Sequence, residues 1–206
     1  MYARTTTIEA MPSSVDAGIS YVRDVVMPTL EGLEGHVGLS LLADRESGRC
    51  ITTTAWTSED TMRASEEAVQ QIRSRAAEIF SGTPTVDHWE IAVLHREHES
   101  GEGACARVTW VRVDPDQVDS GIDMFKTTIL PAVLEHEGLC SASLLVDRAS
   151  GRGVSTAAYD SVEAMERNRA RLESLRESAS KDANAQILDE HEFELVIAHL
   201  QVPEMA

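Results

Sequence analysis

Apolar residues recur along this chain in two alternating periods. Residues 3–10 and 105–113 are rich in Thr, Val and Ile and end near Pro12 and Pro115, as strands do. Val15, Ile19, Val22, Val26, Leu30 and Leu33 then fall at three- and four-residue steps, a helical stripe, as do Val118, Ile122, Phe125, Ile129 and Val133. Pro28 and Pro131 stand in the last turns of these helices, where a missing backbone donor predicts a kink. Gly35 and Gly138 suit the helix exits.

Two apolar runs follow in each half, residues 37–43 with 50–56 and 140–146 with 154–159. Each pair is joined by a polar Asp-Arg-x-Ser-Gly-Arg spacer and reads as a β-hairpin. A second helix begins at Ser58 or Ser161, with acidic residues in its first turn. Its stripes run Met62, Ser65, Val69, Ile72, Ala76, Ile79 and Met165, Asn168, Leu172, Leu175, Ala179. Ser65 and Asn168 are the polar interruptions, so they face the sheet and need partners there. Last strands at residues 88–94 and 193–200 complete the order βαββαβ, twice.

The halves are copies. Residues n and n + 103 are identical at 23 of the 60 positions from Ala3 to Met62, most densely in Ser40–Arg49 and Ser143–Arg152. Near the ends the register slips by one, aligning Trp89-Glu90 with Phe193-Glu194. The expected organisation is a first module at 1–95, a charged Gly-containing linker at 96–104, and a second module at 105–206. A four-stranded sheet covered by helices on one face leaves the other bare, and two copies in one chain provide a partner for it.

Composition narrows the partners. Of 206 residues, 42% are apolar and 26% charged, which fits a folded globular chain. Eighteen Lys and Arg against 35 Asp and Glu give a formal charge of −17, a field that repels nucleic acid and anionic membrane surfaces. With no apolar run of spanning length and no signal-like start, the expectation is a cytoplasmic protein. Cys50, Cys105 and Cys140 form no Cys-x-x-Cys pair and are odd in number, which favours reduced, buried thiols. No cofactor fingerprint or phosphate loop stands out, so no cofactor and no metal are expected.

The double βαββαβ order, the Leu-Leu-x-Asp-Arg-x-Ser-Gly-Arg hairpin, and the aromatic-then-helix junctions Trp56-Thr-Ser-Glu-Asp and Tyr159-Asp-Ser-Val-Glu resemble the dimeric α/β-barrel superfamily. The closest likeness is to its antibiotic-biosynthesis-monooxygenase-like domains, here fused in tandem. The resemblance implies an α+β fold in which two ferredoxin-like modules pack their antiparallel sheets as a pseudo-dimeric α/β barrel, able to pair again as a homodimer. Some members are cofactor-independent oxygenases of polycyclic aromatic substrates, and related ones degrade haem. Haem-degrading members carry an Asn on the first strand, a Trp ending the third and a His on the second helix. This chain has Thr6 and Thr7, or Thr109 and Trp110, in place of the Asn, and Ser65 or Asn168 in place of the His, so the haem ligand is missing.

The candidate site residues follow. Trp56, Ser65, Trp110, Tyr159 and Asn168 are expected to shape and orient a ligand, with Trp56 and Tyr159 either walling a pocket or plugging the core. His36, Arg107 and Asn168 are the weak catalytic candidates. His36 titrates near neutrality, and Arg4 and Arg107 either bind an anionic oxygen or pair with a carboxylate. His95-Arg-Glu-His98 has a metal-like spacing without an evident cage, and the Asp-Arg-x-Ser-Gly-Arg segments read as turns rather than phosphate sites. Three functions fit this frame: a cofactor-independent monooxygenase-like enzyme of an aromatic or polyketide-like molecule, a binding protein for a small hydrophobic or aromatic molecule, and an assembly protein without activity.

Overall fold

The computed structural model describes residues 1–200 and 202–205, Leu200 by its backbone alone. Gln201 and Ala206, which the second module as read from sequence includes, lie outside the described residues. The first copy runs β1 (Tyr2–Glu9), α1 (Val15–Tyr21), α2 (Met27–Glu31), β2 (His36–Ala43), β3 (Arg49–Trp56), α3 (Glu59–Ala64), α4 (Glu66–Phe80) and β4 (Pro84–Arg96). The second runs β5 (Cys105–Arg112), α5 (Val118–Met124), α6 (Leu130–Leu134), β6 (Leu139–Asp147), β7 (Arg152–Tyr159), α7 (Val162–Asp182) and β8 (Gln186–Leu200).

β3 lies between β1 and β2, and β7 between β5 and β6, all antiparallel. The fourth strands are longer than the apolar runs predict, and each serves two compact units. The first unit is Met1–Trp89 with Glu194–Val202, and the second is Glu90–Phe193 with Pro203–Ala206. Within the first unit, β2 pairs with the end of β8 from Gly38↔Leu200 to Ala43↔Glu194. Within the second, β6 pairs with the end of β4 from Glu90↔Val146 to Arg96↔Ser141. The strand order β1-β3-β2-β8-β5-β7-β6-β4 closes on itself as an eight-stranded barrel, because β4 and β8 each continue from one unit into the other. This is the expected α+β architecture.

The prolines act by widening a turn. Val22–Val26 and Phe125–Ile129 are π-helical, with the Met27 N–H bonding to Val22 O and the Leu130 N–H to Phe125 O. A wider turn directly before Pro28 and Pro131 relieves the clash that a proline ring makes with the preceding turn, so the helical segment runs on past each proline.

The hairpin spacers are turns. Asp44 Oδ1 accepts the Glu46 N–H (2.9 Å) and Ser47 Oγ accepts the Arg49 N–H (3.2 Å), and Asp147 and Ser150 repeat both bonds. Gly48 and Gly151 hold φ of 85° and 71°, and a Cβ at either would stand 2.0 Å from the carbonyl oxygen of Ala10 or Val113. The adjacent arginines are engaged by carboxylates, Arg45 by Asp16 and Glu194 and Arg148 by Asp119 and Glu90.

Ser58 and Ser161 cap the second helices by accepting the N–H of Thr61 (3.1 Å) and Ala164 (3.2 Å). In the first copy that helix breaks at Ser65, whose hydroxyl donates to Met62 O (2.7 Å). In the second, α7 is continuous, and Asn168 Nδ2 donates to Ala164 O one turn back (2.8 Å). Each unit has its own core between sheet and helices, the first around Leu39, Leu41, Trp56, Met62 and Phe80, the second around Phe125, Leu139, Leu144, Tyr159 and Met165.

Candidate functional site

In the first unit the space between sheet and helices is filled. The benzene ring of Phe80, at the end of α4, lies against Gly18 of α1 so closely that a Cβ there would meet Phe80 Cε1 at 2.1 Å. In the second unit the partner of Gly18 is Gly121 and the partner of Phe80 is Ala183, and nothing lies within 4 Å of a Cβ built on Gly121. Two further sheet positions shrink, Leu39 to Ala142 and Cys50 to Gly153. Val22 becomes the larger Phe125, which recovers part of the lost volume.

The result is a cavity of about 150 Å3 in the second unit, walled by Val118, Ile122 and Phe125 below the helices, Leu144 and Val146 on the sheet, and Leu172 and Leu175 of α7. That volume accepts a single aromatic ring. Arg107, Thr109, Arg176 and Glu190 form its polar end. A polar cleft of about 320 Å3, lined by Asp114, Ser120, Asp182 and Asn184, adjoins the cavity and shares Gly121, Met124 and Ala183 with it.

The polar end is built from ion pairs. Arg107 is 3% exposed, and its Nε–H donates to Glu192 Oε1 (3.0 Å), which also pairs with Arg169 (2.9 Å). Glu190 accepts from Arg176 and stands 3.4 Å from the Thr109 hydroxyl. In the first unit Arg4 turns elsewhere. It donates to Ser65 Oγ (3.2 Å) and Met62 O, pairs with Glu66 (2.9 Å) and lies 5.6 Å from the Trp56 ring centroid. The difference follows from the partner strand, which offers His88 to Arg4 (3.5 Å) and Glu192 to Arg107. Burial, and then the Arg4 charge, hold His88 below its usual pKa, so it accepts as a neutral ring.

The other sequence candidates are buried around these cores. Trp56 is fully buried, its Nε1–H on Thr54 Oγ1 (3.1 Å) and its ring at the edge of His36 (centroids 5.3 Å). His36 Nε2 is buried without a hydrogen-bond partner among the described residues, and burial lowers its pKa. Tyr159 is fully buried and its hydroxyl meets His136 Nδ1 at 2.9 Å. Burial pushes that phenol up to about 12 and pushes His136 down. Asn168 Nδ2 also reaches Glu137 O (3.2 Å). Trp110 lies on the other face of β5 from Thr109 and packs edge-on to Phe193 (centroids 6.5 Å).

Among the sequence candidates, then, Arg107 lines the cavity, whereas Trp56, Ser65, His36, Trp110, Tyr159 and Asn168 do not. The residues that sequence reasoning missed are Ala183, whose partner Phe80 signals the lost volume at the same 103-residue offset, and His136, which stands where the first copy has Leu33. His95 and His98 separate: His95 meets the carboxylates of Glu97 (2.6 Å) and Glu204, and His98 meets Asp160 (2.8 Å).

No family model matches the chain. An uncharacterized Mycobacterium tuberculosis protein, Rv2557, is 56% identical over 205 residues, covering all of this chain and 92% of the relative. Among solved structures, an anthrone oxidase-like protein superposes with a TM-score of 0.70 at 13% identity, covering 100% of this chain and 94% of that one. A Listeria monocytogenes ferredoxin-fold protein related to antibiotic biosynthesis monooxygenases does so with a TM-score of 0.55 at 11% identity, covering 95% and 94%. The fold is therefore that of the antibiotic-biosynthesis-monooxygenase-like dimeric α/β barrels, present here in tandem. No helix among the described residues is long and apolar enough to cross a membrane.

Proposed function

The chain belongs to the family of Mycobacterium tuberculosis Rv2557, and on that premise we propose that it is a monooxygenase-like protein whose second unit takes a small, largely apolar molecule with one aromatic ring. The observation that carries this reading is the cavity opened where Ala183 replaces Phe80. Its apolar wall strips water from a bound ring, which raises the energy of any anion formed on it. Arg107 at the polar end sets a guanidinium charge beside a phenolate or enolate oxygen. In this scheme the substrate anion supplies all four electrons to dioxygen: one oxygen atom becomes a new ring carbonyl and the other leaves as water with the two protons the substrate loses. The name of the anthrone oxidase-like neighbour supports an aromatic substrate. The first unit, with Phe80 in place, is the filled structural copy.

The test is titration of phenol, indole and naphthalene into the full chain, followed by methyl NMR and an oxygen electrode. Phenol, the one-ring probe, is expected to bind, and Ala183→Phe to abolish binding. Equal binding to Ala183→Phe would sink the site, whereas binding without oxygen uptake by any bound probe would leave a carrier of small apolar molecules in place of an oxygenase.

A further inference from the structure

A second cluster of reactive groups sits away from the cavity, where the chain after β4 passes the start of β6. Cys140, the second residue of β6, is fully buried, and its carbonyl accepts the backbone N–H groups of Glu97 (2.8 Å) and His98 (3.4 Å). That pairing sets the His98 side chain over the thiol. Asp160 follows directly after β7 and is fixed by its N–H on Gly138 O (2.8 Å). His98 Nε2 lies 2.8 Å and Cys140 Sγ 3.3 Å from Asp160 Oδ1, and the three ligand atoms fall within 4.8 Å of one another. The Ser100 hydroxyl also hydrogen-bonds the thiol.

We propose that Cys140 Sγ, His98 Nε2 and an Asp160 carboxylate oxygen form a zinc(II) site, with Ser100 or water in the fourth position. One sulfur, one imidazole and one carboxylate suit a borderline-soft ion and disfavour magnesium and calcium, which take oxygen ligands. Tetrahedral bonds of about 2.0–2.3 Å require ligand atoms roughly 3–4 Å apart, so small side-chain rotations suffice. His98 and Asp160 are each about half exposed, which gives the ion a way in.

Binding exchanges one proton for the metal: the thiol S–H breaks, an S–Zn bond forms and H⁺ leaves to solvent. The first copy has Val37 and Thr57 at the positions of Cys140 and Asp160, so the site belongs to the second unit alone. It ties the segment after β4 to the start of β6 and to the corner between β7 and α7.

Chelator-stripped full-length protein is titrated with cobalt(II), then zinc(II). The expected result is one cobalt per chain with a thiolate-to-cobalt charge-transfer band that zinc displaces. Cys140→Ser loses the band, and His98→Ala and Asp160→Asn, on half-exposed groups that the fold tolerates losing, each weaken zinc at least about tenfold. Cobalt uptake without the band, unchanged zinc affinity in His98→Ala, or no zinc binding above the background of the 35 surface-rich carboxylates would each overturn the site.

Discussion

The two units start from one sequence plan and end with different interiors. At the sheet–helix junction the first holds Phe80 against Gly18, and the second has Ala183 beside an equally bare Gly121. Gly18 is needed because the Phe80 ring occupies the place of a side chain, whereas the space at Gly121 is left for something else. The comparison teaches that a duplicated module can keep its backbone and change its interior: one copy packs a ring where the other, with the smaller Ala142, Gly153 and Ala183, keeps an opening. A similar division marks the arginine pair. Arg4 is turned inward onto Met62, Ser65 and Trp56, and Arg107 is drawn to Glu192 at the cavity edge.

The largest effect should come from emptying the filled unit. Phe80→Ala is expected to cost about 3–5 kcal/mol in denaturant unfolding, since it leaves a cavity beside Gly18. The same variant should bind phenol or indole in the first unit, a gain that methyl NMR would detect.

Next is Tyr159→Phe, which removes the partner of His136 Nδ1 in the second unit and should cost about 1–3 kcal/mol. A loss within 0.5 kcal/mol would show that the imidazole finds another partner. Ala183→Phe makes the second unit resemble the first and should raise stability by about 0.5–2 kcal/mol by filling the cavity. If it destabilises instead, Phe125 already occupies the volume that Phe80 uses in the first unit.

The smallest effect concerns pH. His36, His88 and His136 all have pKa values lowered by burial, so the folded state binds fewer protons than the unfolded one below about pH 6.5. Their contribution is complete above that pH and is lost as the pH falls toward the lowered folded values. His36→Leu, which installs the residue found at position 139, should flatten the fall in unfolding free energy between about pH 6.5 and 5 by less than one proton's worth, about 1.4 kcal/mol per pH unit. An unchanged slope would assign the acid sensitivity to His88 and His136.

Much of the architecture is legible in residue order. The repeat offset, the strand and helix periods, the serine caps and the Asp-Arg-x-Ser-Gly-Arg turns are local or self-comparing signals, and each reappears in the structure with its hydrogen bonds. Less of the site is legible. The aromatic and polar positions singled out by resemblance, Trp56, Tyr159, Ser65 and Asn168, satisfy themselves within the protein through Thr54, His136, Met62 and Ala164. The cavity instead follows from volume differences between the copies, above all Phe80 against Ala183, which matters only once the helix end faces a glycine across the interior.

The sequence by itself determined that this protein is a βαββαβ module written twice, because period, capping and turn chemistry act between residues close in the chain. Only the tertiary structure decided that β4 and β8 each serve both units, which side chains are spent on one another, that the second interior is open, and that His98, Cys140 and Asp160 meet. Those outcomes depend on distances between residues far apart in the chain, and such distances exist only after the strands have paired and the helices have packed.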